Sequence, residues 1–199
     1  MSETSVNTGR RNFLIGATSV VGAAGVVGVA VPFVGSWNPS AKALAAGAPV
    51  KIDIGKIKEG EMLGPIPAWR DMPIFVIKRS EDMLQRLNSK NDRLADPGSE
   101  RPQQPEYAKN ETRSIRPDLL VLVGLCTHLS CSPKYRPTIQ PEDYDEDWIG
   151  GFFCPCHGSK FDLAGRVYSG VPAPSNLEVP PYFYESDSII VIGEDESTT

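Results

Sequence analysis

The chain has 199 residues, 40% of them hydrophobic and 23% charged, with a formal net charge of −5. That balance is ordinary for a globular protein, and the acidic excess argues against a nucleic-acid binder, which would carry a basic patch or stripe. The 18 prolines and 18 glycines favour short strands and turns over long helices, and the 4 cysteines are too few for a disulfide-rich scaffold of this length.

Residues 13–34 read FLIGATSVVGAAGVVGVAVPFV, 22 residues without a charge. As a helix they would span about 33 Å, enough to cross the hydrocarbon core of a bilayer. Arg10 and Arg11 stand at the entrance of the run, and the next basic residue is Lys42. Positive charge on one side predicts a cytoplasmic amino end (1–12), one inner-membrane span (13–37) and a remainder facing the periplasm. The stretch TGRRNFL, Thr8 to Leu14, resembles the S/T-R-R-x-F-L pattern of twin-arginine export signals. That route carries folded proteins, which suits a cofactor inserted before export. AKALAAGA (41–48) offers small residues that a signal peptidase could accept. The apolar run exceeds the roughly 7–15 residues of a usual signal core, however, which favours a retained anchor.

Residues 38–49 are Ala-rich with proline near both ends and little to bury, so they read as a flexible tether or hinge. A head follows over 50–194, long enough for a proper core, with an acidic tail at 195–199. Strand-like runs, rich in β-branched and aromatic residues, recur at 50–54, 73–78, 118–125, 150–154, 160–163, 166–169, 177–185 and 188–193. Only 80–94 looks helical, with Ser80 as its N-cap. Residues 95–117 and 132–149 read as polar loops, the second with an acidic run that is a solvated face. The predicted fold is all-β, an antiparallel sandwich or partial barrel. A small cysteine/histidine subdomain is inserted at about 124–176, and one amino-terminal transmembrane helix precedes the head.

All four cysteines and both histidines lie in two short stretches, CTHLSC (Cys126, His128, Cys131) and CPCH (Cys154, Cys156, His157). Each stretch offers one Cys and one His close enough in sequence to reach one metal from a tight loop, and each leaves a Cys over. Covalent c-type haem needs C-x-x-C-H, and the second stretch is one residue short. A tetrahedral zinc site with two Cys and two His is chemically possible but leaves two cysteines unexplained. Two plain disulfides would suit an oxidising compartment but not the clustering of the histidines. A catalytic Cys–His pair would need a free thiolate outside the cytoplasm.

CTHLSC is close to C-T-H-L-G-C, CPCHGSKFDLAGRV is close to C-P-C-H-G-S-x-Y/F-D, and GVPAPSNLEVPPY (170–182) resembles a proline loop and the strand after it. Together the three motifs resemble the Rieske iron–sulfur family. The resemblance implies one [2Fe–2S] cluster with Cys126 and Cys154 on one iron and His128 and His157 on the other. It implies a disulfide between Cys131 and Cys156, which in the chain-entropy model contributes roughly 3 kcal/mol. It implies that Ser159 donates to a cluster sulfide, and that Phe161 stands where a tyrosine, when present, donates to a ligand sulfur. The missing donor predicts a potential below that of Tyr-containing relatives. Thr127, Leu129 and Pro155 would shield the cluster, and Pro172 and Pro174 would cover it. Ser130 replaces the usual glycine, and a turn with positive φ there would cost strain.

With the anchor included, the resemblance is greatest to iron–sulfur subunits of bacterial ubiquinol–cytochrome c reductases. That implies an oxidoreductase subunit partnered by cytochrome b, a c-type cytochrome and ubiquinol. His157 would meet the quinol and carry its proton, and the head would swing on the tether. The alternative is the Rieske small subunit of a periplasmic molybdenum oxidoreductase such as arsenite oxidase. A soluble Rieske ferredoxin would lack the export anchor, and a structural zinc module would contain no iron.

Overall fold

The computed structural model describes residues 7–87, 89 and 91–195. Residues 1–6 of the expected cytoplasmic end and 196–199 of the acidic tail lie outside them, as do Asn88 and Lys90. The chain divides into two compact units between Ala45 and Ala46.

In the first unit a 28-residue helix, α1 (Thr8–Gly35), contains the whole apolar run. It starts before Phe13 because the Asn7 side chain caps it, accepting a hydrogen bond from the Arg10 amide at 3.1 Å. Both arginines of the export motif therefore lie in the helix. None of its residues is buried, and it is long and apolar enough to cross a membrane. A second, six-residue helix, α2 (Ala41–Ala46), forms inside the stretch expected to be only a tether. Alanine has the strongest helix propensity, and the Ser40 hydroxyl accepts from the Ala43 amide at 3.2 Å.

The head is built mostly from β-structure, as expected, but as three separate three-stranded antiparallel sheets. No barrel closes among the described residues. The first sheet has the order β1 (Val50–Asp53), β9 (Ile189–Ile192), β8 (Tyr182–Ser186); the second, β2 (Met62–Trp69), β3 (Met72–Lys78), β4 (Leu119–Val123); the third, β5 (Lys134–Arg136), β6 (Gly151–Cys154), β7 (Ser159–Phe161). The third sheet lies wholly between β4 and β8 in sequence. It packs on the second through Phe75 and Phe152, whose rings stack with centroids 6.1 Å apart. One hydrophobic core runs through all three sheets and includes Cys126 and Cys154.

Several expected elements differ. Strand β2 is absent from the sequence reading because Gly64, Pro65 and Pro67 hide its pattern. It is an edge strand with two register shifts against β3, where prolines are tolerated. Strand β5 lies inside the expected polar loop at 132–149 and is only three residues long, too short to show a strand pattern. The run at 166–169 makes only isolated bridges, Val167 to Phe161 and Tyr168 to Leu94. The strand expected from 177 starts at Tyr182, because Pro180 and Pro181 have no amide to donate. The helix expected over 80–94 shortens to α3 (Glu81–Arg86), capped by Ser80, with a 3-10 turn at Asn91–Arg93. The Asn, Ser and Asp residues of 88–92 favour turns over helix.

Three arginines are buried in the core: Arg79, Arg113 and Arg166. All three grip the turn at 162–166. Arg79 Nη1 donates to the Leu163 carbonyl at 3.2 Å, and Arg113 Nη1 donates to the Ala164 carbonyl at 3.1 Å. Arg166 Nε donates to Asp162 Oδ2 at 2.7 Å. Burial lowers Arg79 and Arg113 to about 10 each, so both remain charged at neutral pH. They carry their charge in the core because backbone carbonyls surround them.

Candidate metal centre

The first cysteine/histidine stretch leaves the end of β4. Its backbone closes on itself: the Ser130 amide donates to the Cys126 carbonyl and the Cys126 amide to the Cys131 carbonyl, both at 2.8 Å. This tight turn puts Ser130 at φ 61°, the left-handed region, so the serine does sit where glycine would be easier. The second stretch is the hairpin loop between β6 and β7. Cys154 pairs with Ser159 across its base, and the Gly158 amide, at φ 78°, donates to the Cys154 carbonyl at 3.0 Å. Just before it, a side chain at Gly151 would collide with the Phe161 carbonyl, so this ladder requires glycine.

The fold brings the two loops together. Cys131 and Cys156 form a disulfide with Cα atoms 6.7 Å apart. The sulfurs of Cys131, Cys154 and Cys156 lie within 4.8 Å of one another, but the disulfide uses two of the three. Cys126 and Cys154 remain free and are each 2% exposed. They are near enough to hydrogen-bond, and burial, with Cys126 alongside, pushes the Cys154 thiol up. The rings of His128 and His157 meet edge to face with centroids 4.8 Å apart. His157 is exposed and His128 half-buried.

This donor set fits a two-iron cluster. Two buried, neighbouring thiols gain from a metal that takes both as thiolates, and two imidazoles facing each other complete a set of soft and borderline donors. Each imidazole is free of protein hydrogen-bond partners among the described residues.

The surroundings carry the other expected residues. Ser159 is buried, and its Oγ accepts from the Ala173 amide at 3.0 Å, so its own proton is left to donate. Phe161 is buried in the core and brings no donor. Leu129 is 66% exposed, an unusual value for a leucine in a loop tied on both sides. Pro155, Pro172 and Pro174 are exposed as well. Thr127 Oγ1 donates to the Ser175 carbonyl at 2.7 Å and fastens the proline loop to the first stretch.

Residues outside every motif also reach the proline loop. Arg101 donates to the Pro174 carbonyl, and the Ser175 hydroxyl donates to Gln103 at 3.3 Å. Neither was singled out from sequence. Charged and amide residues in a proline-rich polar stretch read as solvated loop, and no local pattern distinguishes them.

A model of the Rieske [2Fe–2S] domain matches residues 107–181. A model of the ubiquinol–cytochrome c reductase Fe–S subunit twin-arginine signal matches residues 1–40. The ubiquinol–cytochrome c reductase iron–sulfur subunit of Allochromatium vinosum is 55% identical over 198 residues, covering 100% of this chain and 95% of that protein. The corresponding subunit of Blastochloris viridis is 42% identical over 184 residues, 92% of each chain. A solved chain named Hyperthermophilic respiratory Complex III aligns at 24% identity with a TM-score of 0.48, covering 87% of this chain and 96% of that one.

Proposed function

Because the chain belongs to the family of ubiquinol–cytochrome c reductase iron–sulfur subunits, we propose that it carries electrons from ubiquinol, oxidised at cytochrome b, to a c-type cytochrome. It is a component of an oxidoreductase complex, and its cofactor is one Rieske [2Fe–2S] cluster. Cys126 and Cys154 would hold one iron, and His128 and His157 the other. When bound, the cluster supplies one-electron chemistry at a potential raised by two neutral imidazoles in place of two thiolates.

The chain's own residues do the rest. The disulfide and the turn at Ser130 fix the spacing of the two loops. The Ser159 hydroxyl donates toward the cluster, and the apolar side chains of Leu129, Pro155, Pro172 and Pro174 exclude water. His157 is the exposed member of the pair. A ring nitrogen left open to solvent would accept a hydrogen bond from a quinol hydroxyl and then its proton, the route by which the subunit would contribute to proton translocation. The helix at Thr8–Gly35 anchors the chain in the inner membrane, with the amino end cytoplasmic and the head periplasmic. The segment 38–49 is the hinge on which the head moves between partners.

One observation carries this reading. Both free thiols are buried side by side while both imidazoles face each other, one of them open to solvent. The test is a mild-detergent purification from native membranes by a carboxy-terminal tag, followed by a reduced-minus-oxidised visible spectrum. Haem b and haem c bands co-purifying with an iron–sulfur signal are expected. An iron–sulfur signal without haem b sinks the assignment and points to a molybdenum-type partner or a free carrier.

A further inference from the structure

The proline loop is held from two sides. From the metal-centre side, Thr127 fixes the Ser175 carbonyl at 2.7 Å and Ser159 fixes the Ala173 amide at 3.0 Å. From behind, three successive residues are gripped by a segment that precedes the matched Rieske domain, which starts at residue 107. Arg101 donates to the Pro174 carbonyl. Gln103 Oε1 accepts from the Ser175 hydroxyl at 3.3 Å. The Asn176 amide nitrogen donates to the Asp96 carbonyl at 3.1 Å and to Ser99 Oγ at 3.3 Å.

The gripping segment is itself rigid. Asp96 accepts from the amides of Glu100 and Arg101 at 2.9 and 3.2 Å. Gln104 Nε2 donates to the carbonyls of Ser99 and Arg101, both at 2.8 Å. The Gln103 carbonyl accepts from the Val179 amide at 2.8 Å and from buried Arg113 at 3.3 Å.

We propose that residues 96–104 form a backrest that sets the position of the proline loop over the cluster, with Arg101 and Gln103 as positioning residues that tune its reduction potential. The inference rests on the cluster reading above. The route is mechanical and then electrostatic. If the backrest loosens, residues 173–175 drift and the Ala173 amide no longer holds Ser159 Oγ in place. The Ser159 proton is then free to turn toward other acceptors. A cluster that has gained an electron loses part of a stabilising donor, so the potential falls.

The test uses the full chain in its detergent-solubilised complex. Arg101→Ala and Gln103→Ala are made singly and together, and Arg101 is exposed, so its removal leaves the core intact. Lys109→Ala is the control: it breaks an ion pair with Glu100 at 2.8 Å in the same region but makes no contact with the proline loop. Amide exchange over 172–177 is expected to quicken roughly fivefold for each hydrogen bond lost. The midpoint potential, followed by the iron–sulfur paramagnetic signal, is expected to shift downward in the Arg101 and Gln103 variants and not in the control. A double variant with wild-type exchange and wild-type potential overturns the proposal. Faster exchange with an unmoved potential overturns the tuning role. A wild-type protein without any iron–sulfur signal overturns the underlying reading instead.

Discussion

The paired cysteine/histidine loops and the 162–166 turn face the same difficulty, irregular backbone lodged against the core, and meet it with opposite chemistry. The loops are joined covalently through Cys131 and Cys156, leaving two buried free thiols and a pair of neighbouring imidazoles. The turn is held by three buried guanidiniums, which donate to its carbonyls at Leu163, Ala164 and Gly165 and to the Asp162 carboxylate. Arg113 alone reaches the carbonyls of Ala164, Gly165, Gln103 and Leu177. The first device depends on redox state and metal supply. The second depends on neither. The difference predicts that the Arg-held turn keeps its structure whether or not the metal centre is filled, and each variant below is a way to break that separation.

The largest effect is expected from Cys154→Ala. Removing a proposed ligand abolishes bound iron, read by metal analysis and loss of the visible spectrum. The Arg-held turn should keep its protection in amide exchange; a loss of protection over 162–166 would join the two regions into one cooperative unit. Next is Arg113→Met, which removes the donor to the Ala164 and Leu177 carbonyls. A loss on the order of 3 kcal/mol is expected, or a thermal midpoint lower by about 6–12 °C, with an unchanged iron–sulfur spectrum in the folded fraction. The double variant Cys131→Ser, Cys156→Ser removes a cross-link over a sequence separation of 25. It should cost about 3 kcal/mol or less in the chain-entropy model, and faster loss of iron on dilution would show that the staple serves the ligands. The smallest effect is expected from Ser130→Gly. It relieves a left-handed serine but adds chain entropy, so a gain under about 1 kcal/mol is expected in thermal denaturation.

The same contrast governs what could be read from the sequence. Cysteine and histidine are scarce, so their spacing makes the two stretches legible; the disulfide partners follow only from the resemblance to the Rieske family, and the all-β character from the recurring β-branched and aromatic runs. The apolar run was legible because 22 uncharged residues leave few alternatives. The buried arginines were not. An arginine in a polar loop looks the same whether it points to water or to a ring of carbonyls, and its partners lie far away in sequence, Arg79 with Leu163 and Arg113 with Leu177. Strand β2 was hidden for a related reason. Its pairing with β3 across a short turn overrides the prolines that would otherwise exclude it. Helix α2 formed where a tether was expected because alanine, which suits a linker by its smallness, also has the highest helix propensity.

Strand β1, the first of the head, pairs with β9, the last, over four consecutive residues from Val50 opposite Ile192 to Asp53 opposite Ile189. Any tension arriving along the chain from its amino side enters the head through this ladder. A load directed along β1 would strain the four rungs together in shear instead of peeling them open one at a time. β9 is clasped on its far side by β8 and passes the force into a second ladder. The first strand of the head is thereby fastened to its last described strand, and trimming the chain back past Ile189 would unbuckle this attachment before it disturbed the metal centre.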